Sequence, residues 1–175
     1  MIISLTGFMG VGKSTISKRL SRHLYCKVID LDRFIESKEG ISIEEMFESK
    51  GEIYFREKEE YYLNRLLAEN GEKVLVLSLG GGTLISKVNQ ELIKEKTFCI
   101  YLKASEETQI ERLSKSNRLR PNIKEFKELP TGEYEAGIKR LFEIRRAGYE
   151  YCSSLIIDVD NKSVNDMLTE IINSI

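Results

Sequence analysis

A glycine-rich segment near the start of the chain carries the residue types that bind nucleotide phosphates. Residues Gly7–Ser14 fit the pattern G-x-x-x-x-G-K-[ST] in full. Glycines let backbone N–H groups turn towards phosphate oxygens, and the start of a helix adds partial positive charge there. Lys13 would reach the β- and γ-phosphates, and the hydroxyl of Ser14 would bind Mg²⁺. The segment predicts a nucleoside triphosphate site but does not say how the triphosphate is used.

Two carboxylates, Asp30 and Asp32, follow the second apolar run of the chain. Residues two apart on an extended chain point the same way, and ligands of a parallel sheet bind beyond the strand ends. One carboxylate could hold Mg²⁺ through water while the other accepts a proton from an attacking hydroxyl. Capping of the helix that starts near Asp32 accounts for the same residues equally well, so both interpretations stay open.

Three consecutive glycines, Gly80, Gly81 and Gly82, follow the most apolar run. Glycines are costly in chain entropy, and a tight turn needs only one or two of them. A third one favours a loop whose backbone approaches a ligand closely.

Three arginines could be either functional residues or ordinary surface residues. Arg56 lies in a helical pattern and could pair with Glu52 or Glu60 on the helix surface. Arg145 and Arg146 also lie among other charges in a predicted helix. Taken alone, these positions favour ordinary surface ion pairs over a functional role.

The elements that must position these residues follow from the apolar pattern. Five apolar runs predict strands: Ile2–Thr6, Lys27–Ile29, Lys73–Leu79, Phe98–Leu102 and Leu155–Val159. Apolar residues at helical spacing lie between or after them, at Ile16, Leu20 and Leu24, at Tyr62, Leu63, Leu66 and Leu67, and at Val164, Leu168, Ile171 and Ile175. Ser42–Glu45 resembles a capping box, and Asn70-Gly71 is a helix-end signal. The alternation predicts an α/β fold, a three-layer sandwich around a central five-stranded parallel sheet.

Composition limits the class of protein further. The 175 residues suit one domain, 1–175, and the near balance of 27 Lys+Arg with 28 Asp+Glu argues against nucleic-acid binding. No apolar run is long enough to span a membrane. The three cysteines, Cys26, Cys99 and Cys152, form no Cys-x-x-Cys pair and are expected to be small buried residues. With no signal peptide expected before the first strand, we expect a cytoplasmic protein.

The segment Ser114–Thr131 interrupts the alternation of strands and helices. It contains both prolines of the chain and many charges, with few residues that could enter a core. Because it is too long for an ordinary connection, we expect residues 114–131 to form a mobile functional loop.

Together these segments resemble the shikimate kinase family, in the family's order and over nearly the whole chain. The resemblance rests on the phosphate loop, Asp30-Leu31-Asp32, Phe55-Arg56 with Glu59, Gly80–Gly82, Arg120-Pro121, and Arg145 four residues before Tyr149. It implies a P-loop NTP-kinase type of fold. It also implies transfer of the γ-phosphoryl group of ATP to the 3-hydroxyl of shikimate, a step of aromatic amino-acid biosynthesis.

The resemblance also implies a role for each matching residue. ATP would be bound by Gly10, Val11, Gly12, Lys13, Ser14, Thr15 and Arg120. Mg²⁺ would be held by Ser14 and, through water, by Asp30. Shikimate would be bound by Asp32, Arg56, Gly80, Gly81, Gly82 and Arg145, with the two arginines on its carboxylate. The catalytic residues would be Asp32 as the base, Lys13, and Arg120 closing from a lid at 114–131. The family further implies ATP and shikimate as the partners, and we expect a monomer.

Some positions depart from the family and leave alternatives open. Asn122 and Ile123 stand where the family usually has two leucines, and Ala147 replaces a common proline. The carboxylate contact could therefore belong to Arg146 instead of Arg145, and Arg118 could share the role of Arg120.

Three other functions compete with shikimate phosphorylation. One is phosphorylation of gluconate or of a nucleoside monophosphate on the same scaffold. Another is nucleotide binding for regulation without catalysis. It is disfavoured, because the chain contains every residue that phosphoryl transfer would need. A GTPase is disfavoured, because Asn161-Lys162-Ser163-Val164 lacks the aspartate of the guanine-binding motif.

Overall fold

The computed structural model describes residues 1–71, 73–115 and 130–175. Its strands are β1 (Ile2–Thr6), β2 (Lys27–Asp30), β3 (Leu75–Ser78), β4 (Phe98–Lys103) and β5 (Leu155–Asp158). Its helices are α1 (Lys13–His23), α2 (Leu31–Glu39), α3 (Ile43–Glu69), α4 (Lys87–Lys96), α5 (Glu106–Ser114), α6 (Thr131–Cys152) and α7 (Val164–Ile172), with a 3₁₀ turn at Thr83–Ile85.

The strands form one parallel sheet in the order β2-β3-β1-β4-β5. This order confirms the predicted five-stranded parallel sheet. It also makes β1, β3 and β2 neighbours, so the three segments that follow them emerge side by side. The phosphate loop, the glycine loop and the Asp30–Asp32 pair therefore meet at one edge of the sheet, although the chain separates them widely.

Helices cover both faces of the sheet. Alternate residues of β3 divide between the two faces, since Leu75 and Leu77 belong to one core and Val76 belongs to the other. The first core packs against α2, α3, α4 and α6, and the second packs against α1 and α7. The predicted three-layer architecture is therefore present.

Helix α3 starts as the sequence predicts and bends once. Ser42 and Glu45 form a complete capping box at its start. Gly51 interrupts the helix with φ +83° and ψ 167°, a backbone conformation that favours glycine. The bend separates a short first section from the long section that carries Arg56.

Some predicted boundaries are wrong in detail. The third strand spans Leu75–Ser78 and not Lys73–Leu79, and Ile175 lies beyond the last helix and is 40% exposed. Cys26 is only half-buried, whereas Cys99 and Cys152 are buried as expected. Apart from its ends, the predicted lid at 114–131 lies outside the described residues. Among the helices that the structure describes, none has the length and hydropathy to cross a membrane.

A polar cluster around Glu39 ties α2 to α3. The carboxylate accepts hydrogen bonds from the hydroxyls of Tyr54 (2.5 Å) and Tyr62 (2.7 Å) and lies 3.0 Å from Nζ of Lys58. These partners recur every four residues, so they share one face of α3. The hydrogen bonds from Tyr54 and Tyr62 are the main cause that lowers the pKa of Glu39 from 4.5 to about 2. The cluster holds the helix that bears Asp32 against the helix that bears Arg56.

We expect Glu39→Gln to lower the melting temperature at neutral pH. A carboxylate whose pKa is lowered by folding stabilises the fold above its unfolded pKa, and this contribution disappears as the pH falls. The difference in melting temperature between variant and wild type should be largest above pH 4.5, become smaller below it and vanish near pH 2. Thermal unfolding followed by circular dichroism across this range measures the difference.

A matched control is Glu69→Gln, which removes an exposed ion pair with Arg65 on the same helix. Exposed pairs of this kind contribute little, so this control should leave the melting temperature nearly unchanged. Equal losses in the two variants would contradict the role given to the Glu39 cluster.

Candidate active site

A cavity of about 450 Å³ opens at the carboxyl ends of β1, β2 and β3. The phosphate loop lines one part of it, and acidic, basic and aromatic side chains of α2, α3 and α6 line the rest. The predicted site residues on its wall are Gly10, Gly12, Lys13, Ser14, Thr15, Asp30, Asp32, Arg56, Gly80, Gly81, Gly82 and Arg145. Its volume suits a small-molecule ligand.

The phosphate loop adopts the conformation that its glycines predict. Gly10 and Gly12 have φ values of +84° and +107°, and helix α1 begins at Lys13. The ammonium of Lys13 donates hydrogen bonds to the carbonyl oxygens of Gly7 (2.6 Å) and Phe8 (3.1 Å), which hold it over the loop. A cation thus stands beside backbone N–H groups at a helix start, an arrangement suited to phosphate.

Asp30 caps a helix and also faces the phosphate loop. Its Oδ1 accepts a hydrogen bond from the backbone N–H of Arg33 (3.3 Å), so it caps α2. Its Oδ2 accepts one from the hydroxyl of Ser14 (3.4 Å), so it also faces the phosphate loop.

Asp32 differs from the predicted extended geometry, because it lies in the first turn of α2. The helix starts one residue after Asp30, and its first turn still directs both carboxylates to the cavity wall. Both carboxylates therefore line one cavity, although they do so from the start of a helix and not from an extended segment.

Arg56 is held by two carboxylates of its own helix. It donates to Glu52 (2.9 and 3.1 Å) and to Glu59 (2.7 Å). Glu59 is the partner that the surface-pair interpretation missed, since Glu60 instead accepts a hydrogen bond from Ser86. The carboxylate of Glu59 is 1% exposed and also accepts from the hydroxyl of Thr83 (2.6 Å). This buried anion orients the guanidinium of Arg56 towards the cavity.

The structure separates the two adjacent arginines of α6. Arg146 points to solvent and pairs with Glu150 at 2.9 Å, as an ordinary surface residue. Arg145 is 2% exposed and lines the cavity, with its guanidinium 5.6 Å from the ring centre of Phe8. Its Nε and Nη1 have no hydrogen-bond acceptor among the described residues. Burial lowers the pKa of Arg145, and the positive charge of Arg56 lowers it further. These donors suit an anion that enters the cavity.

The glycine loop makes room for the charged groups of the site. A Cβ atom at Gly80 would stand 2.6 Å from Oδ1 of Asp32, and one at Gly82 would stand 2.6 Å from Nη2 of Arg56. Both distances are shorter than van der Waals contact. The glycines therefore allow the loop backbone to lie close to these two side chains. The sequence predicted only a close approach to a ligand.

Several residues on the wall were not singled out as site residues from the sequence. They include two carboxylates, Glu36 and Glu59, and the apolar side chains of Met9, Ile43, Phe47 and Phe55. Glu59 could have been found from its spacing, because it lies one helix turn after Arg56. The apolar side chains have no such signal. Arg118 and Arg120 lie outside the described residues.

The sheet is parallel and has this order, a phosphate loop follows β1, and a cavity joins that loop to Arg56 and to the buried Arg145. These features define a nucleoside triphosphate-dependent kinase of the P-loop class. A family model described as shikimate kinase matches residues 9–175. The chain belongs to the shikimate kinase family.

Individual relatives agree with this assignment. The chain is 38% identical over 173 residues to a shikimate kinase of Sulfurihydrogenibium sp. (strain YO3AOP1), covering 99% of this chain and 96% of the relative. It is similar to the structure of shikimate kinase from Acinetobacter baumannii in complex with shikimate, with 30% identity, a TM-score of 0.86 and coverage of 99% and 91% of the two chains. The structure of shikimate kinase from Aquifex aeolicus has 32% identity, a TM-score of 0.80 and coverage of 99% and 95%.

Proposed function

We propose that this enzyme transfers the γ-phosphoryl group of ATP to the 3-hydroxyl of shikimate, giving shikimate 3-phosphate and ADP. One observation carries the proposal beyond family membership. A single cavity joins the phosphate loop to a carboxylate, Asp32, and to two arginines, Arg56 and Arg145. A donor nucleotide and an anionic acceptor with hydroxyl groups would be held there next to each other.

The arginines would bind the carboxylate of shikimate. A guanidinium offers a fixed fork of donors that matches a planar carboxylate. Arg145 has buried donors without an acceptor among the described residues, and Arg56 is already oriented by Glu59. The charge of the substrate would relieve the repulsion between these two cations. The hydroxyls of the ring would then lie towards Asp32, which would accept the proton of the attacking hydroxyl.

The phosphate loop would hold ATP through Gly10–Thr15, with Lys13 on the transferred phosphate. The donor set fits Mg²⁺, which prefers oxygen ligands and commonly uses one carboxylate, water and substrate phosphates. Ser14 and Asp30 would hold it, Asp30 through water, and Mg²⁺ would neutralise phosphate charge. No group of three or more His, Cys, Asp or Glu side chains in residues 1–71, 73–115 and 130–175 is placed to bind a metal by itself, and a nucleotide-bound Mg²⁺ needs none.

Three further features belong to the proposal. Arg120 would close over the phosphates from the segment 114–131 and exclude water from the reaction. The enzyme would act in the cytoplasm, which agrees with its three free cysteines. It would be a monomer, a state that light scattering during gel filtration measures directly.

The experiment that tests the function is release of ADP from Mg·ATP with shikimate, gluconate or AMP as the acceptor. Shikimate-dependent release, absent with the other two, is the expected result. Release with gluconate or AMP but not with shikimate would show that the protein is a kinase with a different acceptor. Binding of ATP without release in any of the three mixtures would favour a regulatory nucleotide-binding protein.

We expect Gly82→Ala to raise the KM for shikimate while the protein remains folded. The new Cβ atom would stand 2.6 Å from Nη2 and 2.9 Å from Nη1 of Arg56, so the guanidinium must move. A displacement of this size costs roughly 10- to 100-fold in substrate use. Steady-state kinetics with shikimate varied at saturating ATP measures the change.

The matched control is Gly132→Ala, where an added Cβ atom meets nothing within 4 Å. Both variants should keep the wild-type melting temperature. A shikimate KM in Gly82→Ala equal to that of the control would show that the position of Arg56 does not matter for binding.

A further inference from the structure

One tyrosine outside the cavity acts directly on the glycine loop. The hydroxyl of Tyr149 donates a short hydrogen bond to the carbonyl oxygen of Gly81. Tyr149 is completely buried and its ring packs against Tyr101, with ring centres 5.3 Å apart. Burial raises the pKa of Tyr149, so the hydroxyl keeps its proton and remains a donor.

We propose that Tyr149 is a positioning residue of the acceptor site, which sets the orientation of the peptide group between Gly81 and Gly82. This inference rests on the proposed function. In a planar trans peptide the C=O of one residue and the N–H of the next point in opposite directions. With the carbonyl of Gly81 directed at a buried hydroxyl, the N–H of Gly82 is turned away from Tyr149.

The need for this anchor comes from the glycines themselves. A peptide with glycine on both sides reorients at little conformational cost, because glycine populates positive and negative φ about equally. Reorientation would turn the carbonyl oxygen of Gly81 away from its buried partner and towards the cavity. A partial negative charge would then face the carboxylate of the substrate beside Arg145. Tyr149 prevents this by giving the carbonyl a fixed donor.

Neighbouring contacts join α6 to the glycine loop and to the 3₁₀ turn that follows it. Arg145 and Tyr149 lie four residues apart, so they share a face of α6. Nη1 of Arg145 lies 3.6 Å from the position of a Cβ atom on Gly81. Gly148 fits against the carbonyl of Leu84, where an added Cβ atom would come within 2.3 Å. One helix therefore places both the cation and the peptide group that meet the substrate.

Tyr149 and Tyr101, whose rings are in contact, provide a matched test, because a change to phenylalanine removes only the hydroxyl from each. Tyr149→Phe removes the donor to Gly81 and, with the same hydroxyl, its interaction with Arg145. Tyr101→Phe removes a buried hydroxyl that has no partner among the described residues. A buried carbonyl without its donor is costly, so we expect Tyr149→Phe to raise the shikimate KM about tenfold. Its kcat and its KM for ATP should stay near those of the wild type, and Tyr101→Phe should change none of the three.

An unchanged shikimate KM in Tyr149→Phe, or an equal rise in the KM of both substrates, would overturn the inference. Glycine-labelled wild-type protein provides a second test that needs no variant. Addition of shikimate should shift the NMR amide signal of Gly82, and an unmoved signal with saturating shikimate would also overturn the inference. Failure of the proposed function is distinct, since the wild type itself would then show no shikimate-dependent release of ADP.

Discussion

Replacing Asp32 by Asn should lower kcat about 100- to 10,000-fold, the contribution of a well-placed general base. The side chain keeps its size and its place in the first turn of α2, but it loses the charge that accepts the proton of the hydroxyl. Binding of Mg·ATP should remain close to that of the wild type, because the phosphate loop provides the contacts. Single-turnover kinetics measures the chemical step, and calorimetry measures the affinity for the nucleotide.

Asp158→Asn is the matched control for this loss, since it neutralises an exposed carboxylate at the end of β5. It should leave kcat unchanged. Turnover by Asp32→Asn within a few-fold of that of the wild type would remove Asp32 as the base. Equal losses of turnover and nucleotide affinity would instead place Asp32 among the groups that bind ATP.

Replacing Arg145 by Ala should raise the KM for shikimate roughly 30-fold to several thousand-fold. Breaking a buried pair of opposite charges costs about 2–5 kcal/mol. Arg145 is 2% exposed, and two nitrogens of its guanidinium have no acceptor among the described residues. The carboxylate of the substrate would therefore be the partner of this buried charge. The KM for ATP should change little. Kinetics with each substrate varied in turn separates the two effects.

Two further variants sharpen this test. Arg146→Ala removes the neighbouring exposed arginine and should leave both KM values unchanged; a loss of shikimate use confined to that variant would reverse the assignment. Arg145→Met keeps most of the volume and removes the buried charge. Because a buried charge without a full set of partners costs stability, this variant should not melt below the wild type. A clear fall in its melting temperature would give Arg145 a structural role instead.

Much of the site could be predicted from local sequence. The segment Gly7–Ser14 specifies its own conformation, since glycines provide the positive φ values and a helix start follows. The apolar runs of the five strands are continuous because helices cover both faces of a parallel sheet. The capping box at Ser42 and Glu45 is equally local. In each case, residues close in the chain contain the whole physical cause.

Contacts between distant segments of the chain decided the remaining features of the site. The sequence could not choose between Arg145 and Arg146, because adjacent residues of a helix point about 100° apart and only packing selects the buried one. It also could not reveal that Gly80 and Gly82 make room for Asp32 and Arg56, which lie far away in the chain.

The sequence by itself determined the kind of fold, the nucleotide site and the family resemblance, because short motifs and apolar periodicity encode them. The tertiary structure alone decided which side chains line the cavity beside the phosphate loop. The sheet order brings β1, β3 and β2 together, and α3 and α6 then approach the glycine loop from two sides. Tyr149 contacts the carbonyl of Gly81, and Thr83 donates to the carboxylate of Glu59; no local pattern records either contact.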